Sequence, residues 1–388
     1  MTTPPPTGAR SVDIRAELPA GPRAARWLLG IAAAAAGPMA GVEIALLSAP
    51  LGGVIGVPGA VVGYITLTAV VLGGLSVWPV QRFRLLGTGR GVGVAAVVAG
   101  LGVLVAGLFS SIPVFTCGVL VAGVAVGPLL VVARAVVGVR EFYGTVCAAS
   151  IAGAVVAGLC TMRPGAALLV AGALAAVAGV GVAVLNPLLE GAGAPGEVRH
   201  ARWIWPGYSA IGFVLGATVL PGLHLLLFRW NVLDAGRSYY LAAALIPALL
   251  MALVGGYRIR ALVPLLILAA GGGVLVATGA NAWQATIGIG VAVTAAIRCL
   301  IVMDHEAREQ ITASGHFLGA GTGLVFTVGG LLGLGAGFGA GHLWGFGSAL
   351  TLCALPVLLV ALVVGWVAAG PDRSTASRTT EIAVEGGA

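Results

Sequence analysis

Glu43 is the side chain with the most chemistry to offer. It stands in GPMAGVEIALLSAP, residues 37 to 50, as the one carboxylate of an apolar run that begins at Trp27. At 1.5 Å per helical residue it lies ~24 Å along a helix from Trp27, beyond the middle of a hydrocarbon layer ~30 Å thick. A carboxylate at that depth is costly and usually faces a water-filled cavity. There it can take up a proton while the cavity opens to one side and release it to the other. The same group could instead bond a neighbouring Ser or Tyr, or sit at an outer water interface. Tyr64, Asn281, Gln284 and His316 are further polar groups on apolar stretches that could line such a cavity or bond locally. Arg134 and Arg298 end two apolar stretches, where each could meet an anionic group or reach lipid phosphate along its apolar stem.

Other tempting patterns lack a required residue. DHEAREQ, residues 304 to 310, opens like a zinc-binding His-Glu-x-x-His, but Glu309 stands where the second His is needed. No metal site is expected, and the segment reads as a solvated cytoplasmic loop. GLGAGFGAG, residues 333 to 341, has no Gly-x-Gly-x-x-Gly order and no Lys, so it reads as a turn into the last span and not as a phosphate loop. The five cysteines, Cys117, Cys147, Cys160, Cys299 and Cys353, form no C-x-x-C pair and read as small packing residues. No catalytic residue and no cofactor is expected. Energy for any work would come from an ion gradient or from the gradient of a substrate.

Composition says where these groups must sit. Only 9% of the 388 residues are charged, against about 25% in an average soluble domain. Hydrophobic residues make up 59% and the mean hydropathy is +1.07. So few charges cannot cover a soluble surface, whereas a bilayer requires helices of ~20 apolar residues that satisfy their own backbone. The chain is expected to be an all-α polytopic membrane protein. The first 25 residues are polar and Pro-rich, and the apolar stretch after them is too long for a cleaved leader.

Splitting the apolar runs at charges and turn residues predicts twelve spans: 27–49, 56–79, 91–110, 113–137, 142–162, 165–187, 206–228, 238–256, 261–278, 281–303, 313–335 and 344–369. Uncharged hinges at Ser110-Ser111-Ile112-Pro113, at Thr278-Gly279-Ala280-Asn281 and in the glycines before Trp344 divide runs too long for one span. Every basic residue is Arg. With the N-terminus inside, 17 of the 20 fall on inner segments, leaving Arg163, Arg229 and Arg237 outside. That bias predicts cytoplasmic termini and explains the net charge of +7 without a nucleic-acid partner.

The halves also look related. Tyr64 and Arg82-Phe83-Arg84 recur as Tyr240 and Arg258-Ile259-Arg260 at an offset of 176. A parallel repeat of six spans is one plan for transporters. The expected division is a cytoplasmic tail (1–25), a six-helix bundle (26–189), a linker (190–205), a second six-helix bundle (206–370) and a cytoplasmic tail (371–388).

Twelve spans as six plus six, inner termini, a central inner loop and basic pairs after spans two and eight resemble the major facilitator superfamily over essentially residues 26 to 370. The resemblance is to drug/proton antiporter-type exporters, which often carry an acidic first-span residue followed by Ala-x-Pro. Here Glu43 is followed by Ala49-Pro50. The superfamily's loop Gly-x-x-x-Asp-(Arg/Lys)-x-Gly corresponds to WPVQRFRLLGTGRG, residues 78 to 91, which keeps arginines and glycines and lacks the Asp. Arg82, Arg84, Arg258 and Arg260 are therefore gating-loop candidates. A glycine series ending in Gly-Pro, typical of the exporters' fifth span, occurs in the fourth as Gly118, Gly123 and Gly127-Pro128, where it also suits close packing.

The resemblance implies a non-enzymatic, monomeric secondary transporter of the cell membrane. It would export a hydrophobic or amphiphilic small molecule by alternating access, with protons as coupling ion. Alternatives are an uptake carrier or facilitator, a polytopic membrane enzyme and a non-transporting membrane partner.

Overall fold

The computed structural model describes residues 20–82, 88–185, 204–256, 261–314 and 319–368. The first apolar segment is a bent rod made of α1 (Ala20–Ala34), a π turn (Ala35–Met39), α2 (Ala40–Leu46) and α3 (Ser48–Ile55). Pro38 lies inside the π turn. Its ring lacks an N–H and crowds the carbonyl one turn back, and a wider turn relieves the clash without breaking the rod. Gly56, at φ +77°, ends α3 in the left-handed conformation that glycine adopts without strain.

The remaining helices follow in alternating direction: α4 (Gly59–Arg82), α5 (Gly89–Leu108), α6 (Ile112–Val136), α7 (Val139–Leu159), α8 (Pro164–Leu185), α9 (Ile204–Phe228), α10 (Asp234–Leu253), α11 (Leu262–Thr278), α12 (Ala282–Ser314), α13 (Gly319–Trp344) and α14 (Phe346–Ala368). Among the described residues eleven stretches are long and apolar enough to cross a bilayer, and α11, with 17 residues, completes a set of twelve. Arg26, Arg90, Arg134, Arg140 and Arg308 gather at one end of the bundle, the arginine-rich end.

Two predicted boundaries move. The expected loop 304–310 continues α12 as helix through Ser314. The charges of Asp304 and Arg308 end the apolar run without ending the helix, because they are one turn apart on the same face. The expected turn 333–341 is likewise helical, within α13, and the break to α14 falls at Gly345, φ +84°. A bilayer removes the alternative hydrogen-bond partners that make glycine a helix breaker in water, so a glycine-rich apolar run stays helical.

Helix packing divides the chain in two. In the first half α5 packs along α8, α4 along α6, and α7 against the first rod. In the second, α9 packs along α13, and α11 joins α12 and α14. The closest approaches use glycine: a Cβ on Gly172 would lie 2.7 Å from the Gly100 carbonyl oxygen, and one on Gly127 would collide with the Gly73 carbonyl. In lipid, where burying apolar surface gains little, such backbone proximity supplies the dispersion that holds helices together. The halves meet along α7 and α10, and where Gly74 of α4 lies beside Leu324 and Thr327 of α13.

Candidate functional site

A cavity of about 480 Å³ lies between the halves. Its wall is built from the first rod at Gly37, Gly41 and Ile44, from α4, α6 and α7 of the first half, and from α9, α12 and α13 of the second. The wall is overwhelmingly aliphatic and glycine-rich. Thr66 and Thr327 contribute hydroxyls, each donating to its own helix, to Val62 O at 2.8 Å and Gly323 O at 2.9 Å. At the arginine-rich end the cavity is floored by Arg134, Tyr143 and Tyr208.

Behind that floor sits Asp304, 3% exposed. Arg134 grips it with a two-pronged fork: Nε donates to Oδ2 at 2.7 Å and Nη2 to Oδ1. The Tyr143 hydroxyl donates to Oδ2 at 2.9 Å, and the Tyr208 hydroxyl to Oδ1. Each carboxylate oxygen thus takes two donors, which is the condition under which a buried carboxylate can be tolerated. Arg134 also donates from Nη2 to the Tyr208 hydroxyl at 2.7 Å and from Nη1 to Thr322 Oγ1 at 3.0 Å. Its guanidinium carbon stands 5.0 Å from the Tyr208 ring centroid, within cation–π range.

The cluster joins the halves. Arg134 and Tyr143 come from α6 and α7 of the first half, and Asp304, Tyr208 and Thr322 from α12, α9 and α13 of the second. Two more arginines cross the same seam onto helix C-termini, where carbonyls lack intrahelical donors and the helix dipole favours a cation. Arg308 of α12 donates to Arg134 O and, at 2.9 Å, to Val137 O, at the end of α6. Arg140 of α7 donates to Leu253 O, the last residue of α10. Among the described residues the halves are therefore joined at the arginine-rich end by a buried ion pair and by carbonyl grips from Arg308 and Arg140.

Glu43 is fully buried, and neither carboxylate oxygen has a hydrogen-bond partner within the described protein. It does not line the cavity, although Ala40, Gly41 and Ile44 around it do. The helical period turns it away from them, on the helix α2 that packs against α7, α8 and α4. Tyr64 is 69% exposed on α4 and is not part of the cavity wall. Gln284 is exposed and local: its Oε1 accepts from the Ala280 N–H at 2.7 Å, while its own N–H is capped by Asn281 Oδ1 at 2.9 Å. Arg298 donates to the carbonyls that end α10, among them Val254 O at 2.9 Å, inside the second half.

Of the candidates read from sequence that fall among the described residues, only Arg134 is at the centre of the site. His316, Arg84, Arg258 and Arg260 lie outside the described residues, and Arg82 closes α4 with its side chain also outside them. Sequence reasoning assigned Asp304 to a solvated loop and missed Tyr143, Tyr208 and Thr322. Two signals pointed to Asp304: its one-turn spacing from Arg308, and the apolar residues Leu300, Ile301 and Met303 immediately before it.

No protein-family profile and no curated protein matches the chain. Among solved structures it is similar to the human organic anion transporter MFSD10 (TETRAN), with TM-score 0.67 and 14% identity over 89% of this chain and 100% of that one. It is also similar to a point mutant of the nucleoside transporter NupG, with TM-score 0.57 and 12% identity over 88% of this chain and 98% of that one. At such identities the likeness is one of fold, a helical arrangement that the chain shares with these two transporters over most of its length.

Proposed function

We propose that the chain is a secondary transporter of the cell membrane that exports a hydrophobic or amphiphilic small molecule by alternating access. The observation that carries this reading is the aliphatic cavity between two helix bundles, closed at one end by the Arg134–Asp304 pair contributed from both sides. A site of this volume suits a small molecule, and a wall with so few polar groups suits an apolar one. Positive charge favours the cytoplasmic side, so the arginine-rich end is taken as the inner gate and both termini as cytoplasmic. Breaking the ion pair and the two carbonyl grips lets the bundles rock about the cavity and opens it inward.

Coupling to protons is assigned to Glu43. It is a buried carboxyl without a protein partner, on the same short helix as the cavity residues Gly41 and Ile44. Proton exchange there requires α2 to shift and admit water, which ties protonation to the rocking step. The chain acts as a monomer in this reading, since each half supplies the other's gate partners.

The test is transport in inverted vesicles with and without an imposed pH gradient, using the wild-type chain and Glu43→Gln. Gradient-driven accumulation of lipophilic dyes that the variant abolishes is the expected result. Accumulation equal in both forms removes Glu43 from the coupling step. Movement only down the substrate's own gradient replaces the exporter by a facilitator.

A further inference from the structure

The charge distribution around the cavity is lopsided. Arg134 lines it, whereas Asp304 stands behind the guanidinium and is not part of the wall. The ion pair is thus a dipole with its positive end toward the cavity, while Arg308, one turn beyond Asp304, bonds the carbonyls that end α6 and is not part of the wall. Among the described residues no carboxylate lines the wall, because Glu43 is turned away. Of the five N–H donors on Arg134, four are engaged by Asp304, Tyr208 and Thr322, and one on Nη1 has no protein partner among the described residues. The Tyr208 ring lies against the guanidinium, and aliphatic wall extends from it to Ala106 and Leu168 near the opposite end.

We infer that the cavity selects amphiphilic anions: an acidic head group, sulfonate or carboxylate, docks on Arg134 at the floor while an apolar tail occupies the aliphatic wall. This rests on the carrier reading above and names its substrate class. The remaining Nη1–H gives a carboxylate or sulfonate one charge-assisted hydrogen bond, and in a low-dielectric cavity such a bond outweighs a neutral one. A lipophilic cation meets like charge at the floor and no acidic partner on the wall.

The experiment is calorimetric titration of the purified full chain in nanodiscs with three matched amphiphiles, octanesulfonate, octyl glucoside and octyltrimethylammonium, empty nanodiscs serving as blank. The sulfonate is expected to bind about tenfold more tightly than the neutral or cationic probe, the margin of a charge-assisted over a neutral hydrogen bond. In Arg134→Gln/Asp304→Asn, which removes both charges together, that preference disappears while the neutral probe still binds. Thr66→Asp, placed on the cavity wall away from the cluster, is expected to invert the preference toward the cation. Equal or tighter binding of the cation by the wild type, or a sulfonate preference that survives in either variant, overturns the inference. Counterflow of the same probes in proteoliposomes separates it from the carrier reading. A chain that binds the sulfonate selectively but exchanges none of the probes refutes transport and upholds anion selectivity, whereas preferential exchange of the cation refutes anion selectivity and upholds transport.

Discussion

Asp304→Asn is the sharpest perturbation of the gate. The substitution keeps the shape and removes the charge, so the Arg134 guanidinium loses its counterion and an amide N–H₂ replaces one of two acceptors facing Arg134, Tyr143 and Tyr208. Breaking one partner of a buried pair costs about 3–5 kcal/mol. Arg134 and Tyr143 belong to one half and Asp304 to the other, so that cost falls on closure between the halves. At about 1.36 kcal/mol per factor of ten, the ratio of molecules closed at the arginine-rich end to molecules open there falls by about two to four orders of magnitude.

Cys147 is a native reporter. It is 2% exposed, and it shares the face of α7 that carries Gly144, beside Leu253, and Gly158, beside Ser238 and Tyr239 of α10. Parting of α7 from α10 at the arginine-rich end exposes it. With the other four cysteines replaced, alkylation of Cys147 is expected to accelerate by about a hundredfold or more in Asp304→Asn. Adding Arg134→Gln removes the stranded charge and should restore much of the protection. A folded Asp304→Asn protein that labels no faster than wild type would refute the gate.

Two further substitutions test packing and the role of Glu43. Gly127→Ala drives a methyl into the Gly73 carbonyl where α4 crosses α6, so folded yield and melting temperature should drop, whereas Gly63→Ala, with open space around it on α4, should be neutral or gain up to about 1 kcal/mol in helix propensity. Glu43→Met replaces an unpartnered buried carboxyl by an apolar chain of similar length. Its melting temperature should equal or exceed that of wild type while proton-driven transport is lost, the signature of a group kept for function at some expense of stability; a large drop in melting temperature would mean that Glu43 is structural.

The sequence by itself determined that the chain is a helical membrane protein, how many spans it has and, within a few residues, where most of them break. Hydropathy is a local property, and a bilayer enforces it span by span: the breaks at residues 109–111 and 279–281 fall where Ser110-Ser111 and Gly279-Ala280 interrupt the apolar run. Arg134 was legible too, as a cation at a helix end able to meet an anion. What only the tertiary structure decided is which anion, and which way each side chain turns. Asp304 is 170 positions from Arg134, and its burial depends on α6, α7, α9 and α13 converging on it. Taken alone, a charged stretch after an apolar run looks like the edge of the membrane. Glu43 poses the same problem in rotation. In a helix that is apolar on all sides no stripe marks the inner face, so depth can be counted along the chain but direction cannot, and a turn of about 100° per residue separates Glu43 from the cavity-lining Ile44.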